Sequence, residues 1–203
     1  MAIELKTGPA PPARISYEEF LQWDGENQHV EWVNGRVVEM SPVGLDHNRV
    51  GKFLITLLEV FLEVHAIGVI CYDPFQMKTG PSLPGRAPDI FFVSNENIGR
   101  LHNTYLEGPA DLVVEIISPG SSAVDRRAKY SEYEKGGVRE YWLIDPARKT
   151  AEFYVLDAEG VFRLVQPDGG IYRSAAIEGF WIETDWLWSR PGILAVMRAW
   201  GIL

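Results

Sequence analysis

The segment ADLVVEIISP, residues 110–119, most constrains what this chain can fold into. Its near-continuous apolar run is typical of a central strand that is covered on both faces. Glu115 lies in the middle of that run, and a second strand-like run, APDIFFV, carries Asp89 near its start. A carboxylate that is taken out of water needs a cation or hydrogen-bond donors in compensation. The pair therefore predicts a metal site.

Each of these carboxylates also has a structural interpretation. Asp89 follows Pro88 at the start of its strand, where a carboxylate can cap a loop end instead of binding a ligand. Glu115 can form an internal salt bridge, for which Arg36 and Arg86 are candidate partners. Buried glutamates are rare without a partner, so Glu115 is the stronger functional candidate of the two.

A lysine that can complete the site follows in SAVDRRAKYSEYEKGGV, which predicts a helix from about Ser122 to Gly136-Gly137. Asp125 and Lys129 are four residues apart and therefore share a helix face. An ammonium is the usual third member when a metal and two carboxylates organise a water for hydrolysis. A plain surface ion pair is the ordinary meaning of the same spacing.

The charge of the chain limits the classes of partner. A net charge of −9 argues against a protein that coats nucleic acid non-specifically, because phosphate binding relies on clustered lysines and arginines. A site built from carboxylates is itself acidic without its metal, so this argument does not exclude a nuclease. A local basic patch contains Arg126, Arg127 and Lys129. That patch is either a substrate-contacting surface or a solvated helix face.

Glu31 and His47 are two further candidates. Glu31 lies in a predicted hairpin strand between Val30 and Trp32, where a structural role is equally compatible with its neighbours. His47 lies near the start of a predicted long helix and can touch substrate or metal, although a lone histidine is more often structural. Covalent catalysis has little support, because Gly-x-Ser-x-Gly is missing and the single cysteine, Cys71, has no evident activating neighbour.

Turn signals and apolar spacing predict the order of the elements. Ser16 and Glu19 have capping-box spacing before a short helix, and Asn34-Gly35 joins two alternating segments into a hairpin. Apolar residues at helical spacing from about Gly44 to Val64 predict a long helix that packs on a sheet. The remaining elements are strands in AIGVICYDPFQMK, APDIFFV, ADLVVEIIS and REYWLIDP, a hairpin of TAEFYVL with GVFRLV, and a last helix near Ile193 to Trp200. This order predicts α/β layers with a mixed, partly antiparallel sheet.

The length of 203 residues predicts one domain, residues 16–203, after a flexible lead-in of residues 1–15 that contains Pro9, Pro11 and Pro12. No window reaches the roughly 18 apolar residues needed to cross a bilayer, and the first residues lack the apolar stretch of a secretory signal. A single cysteine agrees with a reducing compartment. We therefore expect a cytoplasmic protein that does not contact a membrane.

The segments VEWVNGRVVEMSPVGLDHNRV, APDIFFV, GPADLVVEIISPGSSAVDRRAKYSEYEKGGVREYWLIDP and FYVL resemble the Uma-two family of the PD-(D/E)XK restriction-endonuclease-like superfamily. The resemblance runs from about Ser16 to beyond Leu156 and is most specific between Glu115 and Pro146. It implies an α+β fold with a restriction-endonuclease-like core, a mixed β-sheet flanked by helices and additional antiparallel hairpins. The activity that it implies is metal-dependent hydrolysis of DNA phosphodiester bonds.

The resemblance also implies a role for individual residues. Asp89 matches the first metal-binding aspartate and Glu115 the acidic residue on the next strand, so that both would hold Mg²⁺ or Mn²⁺. Ile117 stands where the superfamily usually has its lysine. Lys129 on the following helix would supply the ammonium from a different backbone position, as occurs in members of the superfamily whose lysine has moved. Glu31 corresponds to the acidic residue contributed near the first helix.

Three functions stay open at the level of the sequence. The first is a DNA endonuclease. The second is a catalytically degenerate nuclease fold that acts as a DNA-binding or protein-interaction module, which Ile117 and the acidic total motivate. The third is hydrolysis of a non-nucleic phosphate ester by the same residues.

The superfamily implies a homodimer, and the seven tryptophans concentrated toward the end of the chain serve either a dimer surface or the core.

Overall fold

The computed structural model describes residues 12–23, 29–118 and 125–203, without the side chains of Asp125 and Arg126. The predictions on Pro9, Pro11, the helix start at Ser122 and the substrate contact of Arg126 lie outside the described residues. Within these ranges no helix is both long enough and apolar enough to span a membrane. The cytoplasmic location and the domain boundary at residue 15 stay predictions.

Short strands outnumber helices in the described ranges. In chain order the elements are α1 (Tyr17–Leu21), β1 (Val30–Val33), β2 (Arg36–Glu39), α2 (Leu45–His65), β3 (Gly68–Tyr72), β4 (Gln76–Lys78), β5 (Gly85–Arg86), β6 (Ile90–Ser94), β7 (Tyr105–Glu107), β8 (Leu112–Ile116), α3 (Tyr130–Gly136), β9 (Glu140–Asp145), β10 (Thr150–Leu156), β11 (Phe162–Val165), β12 (Ile171–Arg173), β13 (Trp181–Glu183), α4 (Trp186–Ser189) and α5 (Ile193–Ala199). A 3₁₀ turn covers Ile98–Arg100, and a π-helical turn, Asp125–Lys129, leads into α3.

The strands of the described ranges form two larger sheets and one hairpin. The main sheet has six strands in the order β11-β10-β9-β8-β6-β3, and β8 and β9 at its centre are parallel. The second sheet has the order β2-β1-β5-β4-β7, and β12 pairs with β13. Antiparallel and parallel pairs thus occur together, with helices packed against the main sheet. This architecture confirms the predicted mixed α/β (α+β) fold with antiparallel hairpins.

Local sequence signals explain several of these elements. Ser16 and Glu19 form the predicted capping box at the start of α1, because the Ser16 hydroxyl accepts from the Glu19 amide and the Glu19 carboxylate from the Ser16 amide. Asn34 and Gly35 have φ values of 52° and 81°, as a tight turn between twisted strands requires. The long helix predicted from Gly44 to Val64 runs over Leu45–His65.

Strand β8 separates two apolar clusters and so decides which way Glu115 points. Val114 and Ile116 belong to the cluster formed with α2, whereas Val113 and Ile117 belong to a cluster on the α3 side that contains Tyr133 and Tyr141. Successive strand residues point to opposite faces of a sheet. Glu115 therefore lies on the α3 side, the face that its odd-numbered neighbours occupy.

Some elements differ from the sequence prediction. The single strand predicted in AIGVICYDPFQMK is divided into β3 and β4, which belong to different sheets. Pro74 lies at the break and has no N–H to donate to a ladder. β5 lies in the Gly/Pro-rich segment between AIGVICYDPFQMK and APDIFFV, and a Cβ on Gly85 would come within 2.4 Å of the Tyr17 ring. The short elements β7, β12, β13 and α4 were not predicted.

The tryptophans toward the end of the chain pack in or against the hydrophobic core. Trp186 is 8% exposed, and Trp181 and Trp188 pack against the apolar cluster that α2 forms with the main sheet. Their abundance is therefore explained by packing. The homodimer stays a prediction.

Candidate active site

Glu115 is buried and paired with groups from the helix that follows β8. Its side chain accepts a hydrogen bond of 2.8 Å from Lys129 Nζ and one of 2.6 Å from the Tyr133 hydroxyl. An internal salt bridge is thus present, but its cation is Lys129 and not Arg36 or Arg86. Burial and then the Glu115 carboxylate raise the pKa of Tyr133 well above its ordinary value, so this phenol stays protonated and donates.

Lys129 is the last residue of the π-helical turn, and its side chain reaches the carboxylates of Glu115 and Glu31. Its side chain is only 5% exposed, and Nζ also lies 3.4 Å from Glu31 Oε1. Ile117, which occupies the position expected for the superfamily lysine, projects from β8 toward the same α3 side. The ammonium therefore approaches Glu115 from the helix on the face where a lysine at position 117 would have emerged.

Arg86 connects Glu31 to α3, the helix that follows Lys129. Its Nη1 donates to Glu31 Oε2 at 2.6 Å, while Nε and Nη2 make a two-point contact with Glu132 at 2.7 and 2.9 Å. Burial alone would raise the pKa of Glu31, but Lys129 and Arg86 outweigh it and hold this pKa below its ordinary value. Glu31 is therefore an anion that balances two cations, as a planar guanidinium fork favours.

Asp89 joins the site through the backbone of β8. Its Oδ2 accepts a hydrogen bond of 2.6 Å from the amide of Ile116, the residue after Glu115, and its Oδ1 lies 3.1 Å from His47 Nε2. Asp89 thus caps a backbone N–H, as its structural interpretation proposed. The same contact holds its carboxylate beside β8 at the level of Glu115.

One cavity of about 170 Å³ is lined by most of these groups, including Glu31, His47, Arg86, Asp89, Glu115 and Lys129. The structure therefore brings together five of the candidates taken from the sequence: Asp89, Glu115, Lys129, Glu31 and His47. Arg127 is exposed, and it is not among the described residues that line this cavity. The catalytic and substrate roles of all these residues stay predictions.

His29 and Asp73 lie next to the cavity and were missed in the sequence. His29 Nε2 is 2.7 Å from Asp73 Oδ2, and His29 lines the cavity directly. Burial raises the pKa of Asp73; His29 acts against this, while the nearby carboxylates of Asp89 and Glu31 add to it. No spacing rule links residues 29 and 73, because β1 and the β3–β4 break meet only in the folded chain. Glu132 and Tyr133, by contrast, were visible on the Lys129 helix at spacings of three and four.

The donor set fits a hard divalent cation held in an open position. Asp89 and Glu115 both line the same cavity. Within the described ranges, no three His, Cys, Asp or Glu side chains are grouped so that they could hold a metal ion by themselves. Mg²⁺ is usually held by one or two carboxylates together with waters and substrate phosphates, so two protein carboxylates are sufficient for such a site.

Comparison with known proteins identifies a family and a solved structure to which the chain is similar. Residues 17–185 match the Uma2 family, described as "Putative restriction endonuclease". A search of curated proteins found no match to the chain. Among solved structures, the chain is similar to "a putative nuclease belonging to DUF820 from Anabaena variabilis ATCC 29413", with 19% identity, a TM-score of 0.69, and coverage of 86% of this chain and 98% of that one. At this identity the structural likeness establishes the fold alone. Because the family match spans most of the sequence, the chain belongs to the Uma2 (Uma-two) family.

Proposed function

We propose that this protein is a metal-dependent DNA endonuclease that hydrolyses phosphodiester bonds in the cavity between Asp89, Glu115 and Lys129. The observation that carries the proposal is the 2.8 Å contact of Lys129 Nζ with Glu115 beside Asp89. It supplies, from the π-helical turn that leads into α3, the ammonium that Ile117 cannot provide. The Uma2 family's description and the nuclease-like fold support the same reaction class.

The chain's own residues divide the work. When bound by Asp89 and Glu115, Mg²⁺ or Mn²⁺ would polarise a phosphate oxygen and lower the pKa of a bound water. Lys129 orients the attacking water and offsets negative charge that develops on the phosphate. Glu31 and Arg86 hold Lys129 in place, and His47 holds Asp89. Exposed Arg127, two residues before Lys129, contacts a backbone phosphate of the DNA.

The decisive experiment neutralises Glu115 and uses Glu140 as its matched control. Both carboxylates are buried, but Glu140 does not line the cavity. We expect Glu115→Gln to lower the rate of plasmid cleavage in Mg²⁺ or Mn²⁺ by about 100-fold or more, the effect typical of losing one charge-stabilising group. Glu140→Gln should cleave at the wild-type rate per folded molecule. Unchanged cleavage by Glu115→Gln would sink the proposal.

A catalytically degenerate protein is the second candidate. It is favoured by the fact that Glu115 already accepts hydrogen bonds from both Lys129 and Tyr133, as a purely structural carboxylate would. Titration calorimetry with Mn²⁺ separates the two functions, because the nuclease should bind the ion and lose that binding in Asp89→Asn. Cleavage of a small phosphodiester without cleavage of DNA would instead identify a hydrolase of non-nucleic esters.

A further inference from the structure

A second cavity, of about 330 Å³, adjoins the candidate active site and has a different chemical character. Its wall combines aromatic rings with polar side chains, and among its members are Phe20, Trp23, Tyr72, Phe75, Asp73 and Gln76. Its volume lies at the lower end of the range of about 300–1,000 Å³ that small-molecule sites occupy. It is therefore large enough for one flat ligand group.

Three buried polar atoms of this wall have no hydrogen-bond partner in the described chain: Gln76 Oε1, Asp73 Oδ1 and Trp23 Nε1. Gln76 is 7% exposed, and its Nε2 donates to the carbonyls of Val30 and Pro74, which fixes the amide and leaves Oε1 unused. Buried polar groups in folded proteins are nearly always satisfied. Three unsatisfied atoms around one aromatic cavity therefore indicate a ligand with donors, at least one acceptor and a flat face.

A nucleobase has this combination of properties. Bases stack on aromatic side chains and form hydrogen bonds along their edges. The amide oxygen of Gln76 and the carboxylate oxygen of Asp73 are acceptors and require donors, which the exocyclic amino groups of adenine, cytosine and guanine supply. The indole N–H of Trp23 matches an acceptor on the base. Thymine has no exocyclic amino group and is the poorest fit.

The position of the cavity ties it to the site of cleavage. The amide of Asp73 donates to the carbonyl of Asp89 at 3.3 Å, and the Asp73 carboxylate contacts His29, which lines the active-site cavity. We propose that the aromatic cavity holds one unstacked, amino-bearing base of the DNA strand, beside the phosphate that is cut. This inference rests on the proposed nuclease function, and it makes the protein selective for the base next to the scissile bond.

The test reads binding and not cleavage, so that it can fail separately from the proposed function. The full chain is labelled with 5-fluorotryptophan, and the ¹⁹F resonance of Trp23 is assigned from its absence in Trp23→Phe. Without divalent cation, dAMP, dCMP and dGMP should each shift this resonance. We expect dTMP to bind about fivefold more weakly, the value of one net hydrogen bond, and deoxyribose 5-phosphate to leave the resonance in place.

Two variants locate the site. Phe75→Leu removes an aromatic stacking face and should weaken dAMP binding more than about fivefold, because stacking on an aromatic side chain contributes strongly to the binding of a base. Trp188→Phe, which changes a tryptophan packed on the other core cluster, should bind dAMP as the wild type does. A Trp23 resonance that does not move, or that moves equally with deoxyribose 5-phosphate, overturns the base pocket. Binding that persists when Asp89→Asn has stopped cleavage supports it.

Discussion

Two buried glutamates on adjacent parallel strands have opposite surroundings. Glu140, at the start of β9, is fully buried and accepts hydrogen bonds only from neutral donors among the described residues: Trp142, Tyr172, Ser174 and the amide of Ala176. Glu115, on β8, is bound by the ammonium of Lys129 and lies beside a cavity. Burial of a carboxylate therefore does not mark a reactive site by itself. A neighbouring cation and an open space distinguish the candidate site from the structural one.

The Glu140 network holds the end of the chain to the main sheet. Its donors Tyr172, Ser174 and Ala176 lie on and after β12, whereas Glu140 begins the central strand β9. Burial, followed by the Glu140 carboxylate, raises the pKa of Tyr172, so the phenol remains a donor. The Glu115 network instead ties α3 to the sheet and ends at the cavity. The described partners of Glu140 are all protein donors of the core, whereas Glu115 also lines a cavity.

The largest effect is expected from a variant that removes the positive charge beside Glu115. Lys129→Met leaves Glu115 and Glu31 buried without their shared ammonium, and we expect a loss of about 3–5 kcal/mol in the free energy of unfolding together with all cleavage. Urea denaturation measures the stability. The double variant Glu115→Gln/Lys129→Met should regain part of the stability but none of the activity. Equal stability of the single and double variants would show that the pair is not coupled.

The next largest effect is on the structural side. Glu140→Gln replaces charge-assisted hydrogen bonds to four donors, and we expect a loss of about 2–3 kcal/mol, because a hydrogen bond to a charged group contributes about 1.5–3 kcal/mol. Thermal and urea unfolding measure this loss. Cleavage per folded molecule should stay at the wild-type level. A large loss of cleavage with unchanged stability would reverse the assignment of the two glutamates.

A smaller effect follows from the Arg86 fork. Arg86→Lys keeps the charge but cannot make the two-point contact with Glu132, and we expect a loss of about 1–2 kcal/mol in unfolding free energy. If Arg86 acts by positioning Glu31 and α3, kcat should fall while KM stays unchanged. The matched control is Arg163→Lys at the exposed pair with Asp157, where no measurable loss is expected. Equal losses in both variants would argue against a positioning role.

The smallest effect is the pH dependence contributed by Glu31. Its folded pKa lies below the ordinary value of 4.5, because the two cations outweigh burial. The unfolded chain therefore binds a proton first as the pH falls, and stability that is present above 4.5 is lost as the pH drops through the lower folded value. The difference between wild type and Glu31→Gln in unfolding free energy, measured from pH 7 to pH 3, should shrink toward acid pH. A constant difference would contradict this assignment.

Much of the fold followed from local patterns, and the misses have a common cause. The capping box at Ser16, the turn at Asn34-Gly35 and the stripe of α2 depend on neighbours within a few residues. The separation of β3 and β4 into different sheets and the two-residue strand β5 depend on pairing with distant segments, which no local spacing records. The same distinction applies to the site. Asp89 and Glu115 were marked by their apolar surroundings, whereas His29 and Asp73 were not.

The sequence by itself determined that Asp89 would lie at the start of one strand and Glu115 inside another, and that a helical segment with Lys129 would follow. Strand and helix periods are local properties, so they can be calculated from residue order. Only the tertiary structure decided that Lys129, and not Arg86, neutralises Glu115, and that Glu140 is a structural carboxylate. Which ions meet in a folded protein depends on how its layers pack. The packing of α3 on β8 places the Lys129 ammonium beside Glu115, although position 117 carries an isoleucine in place of a lysine.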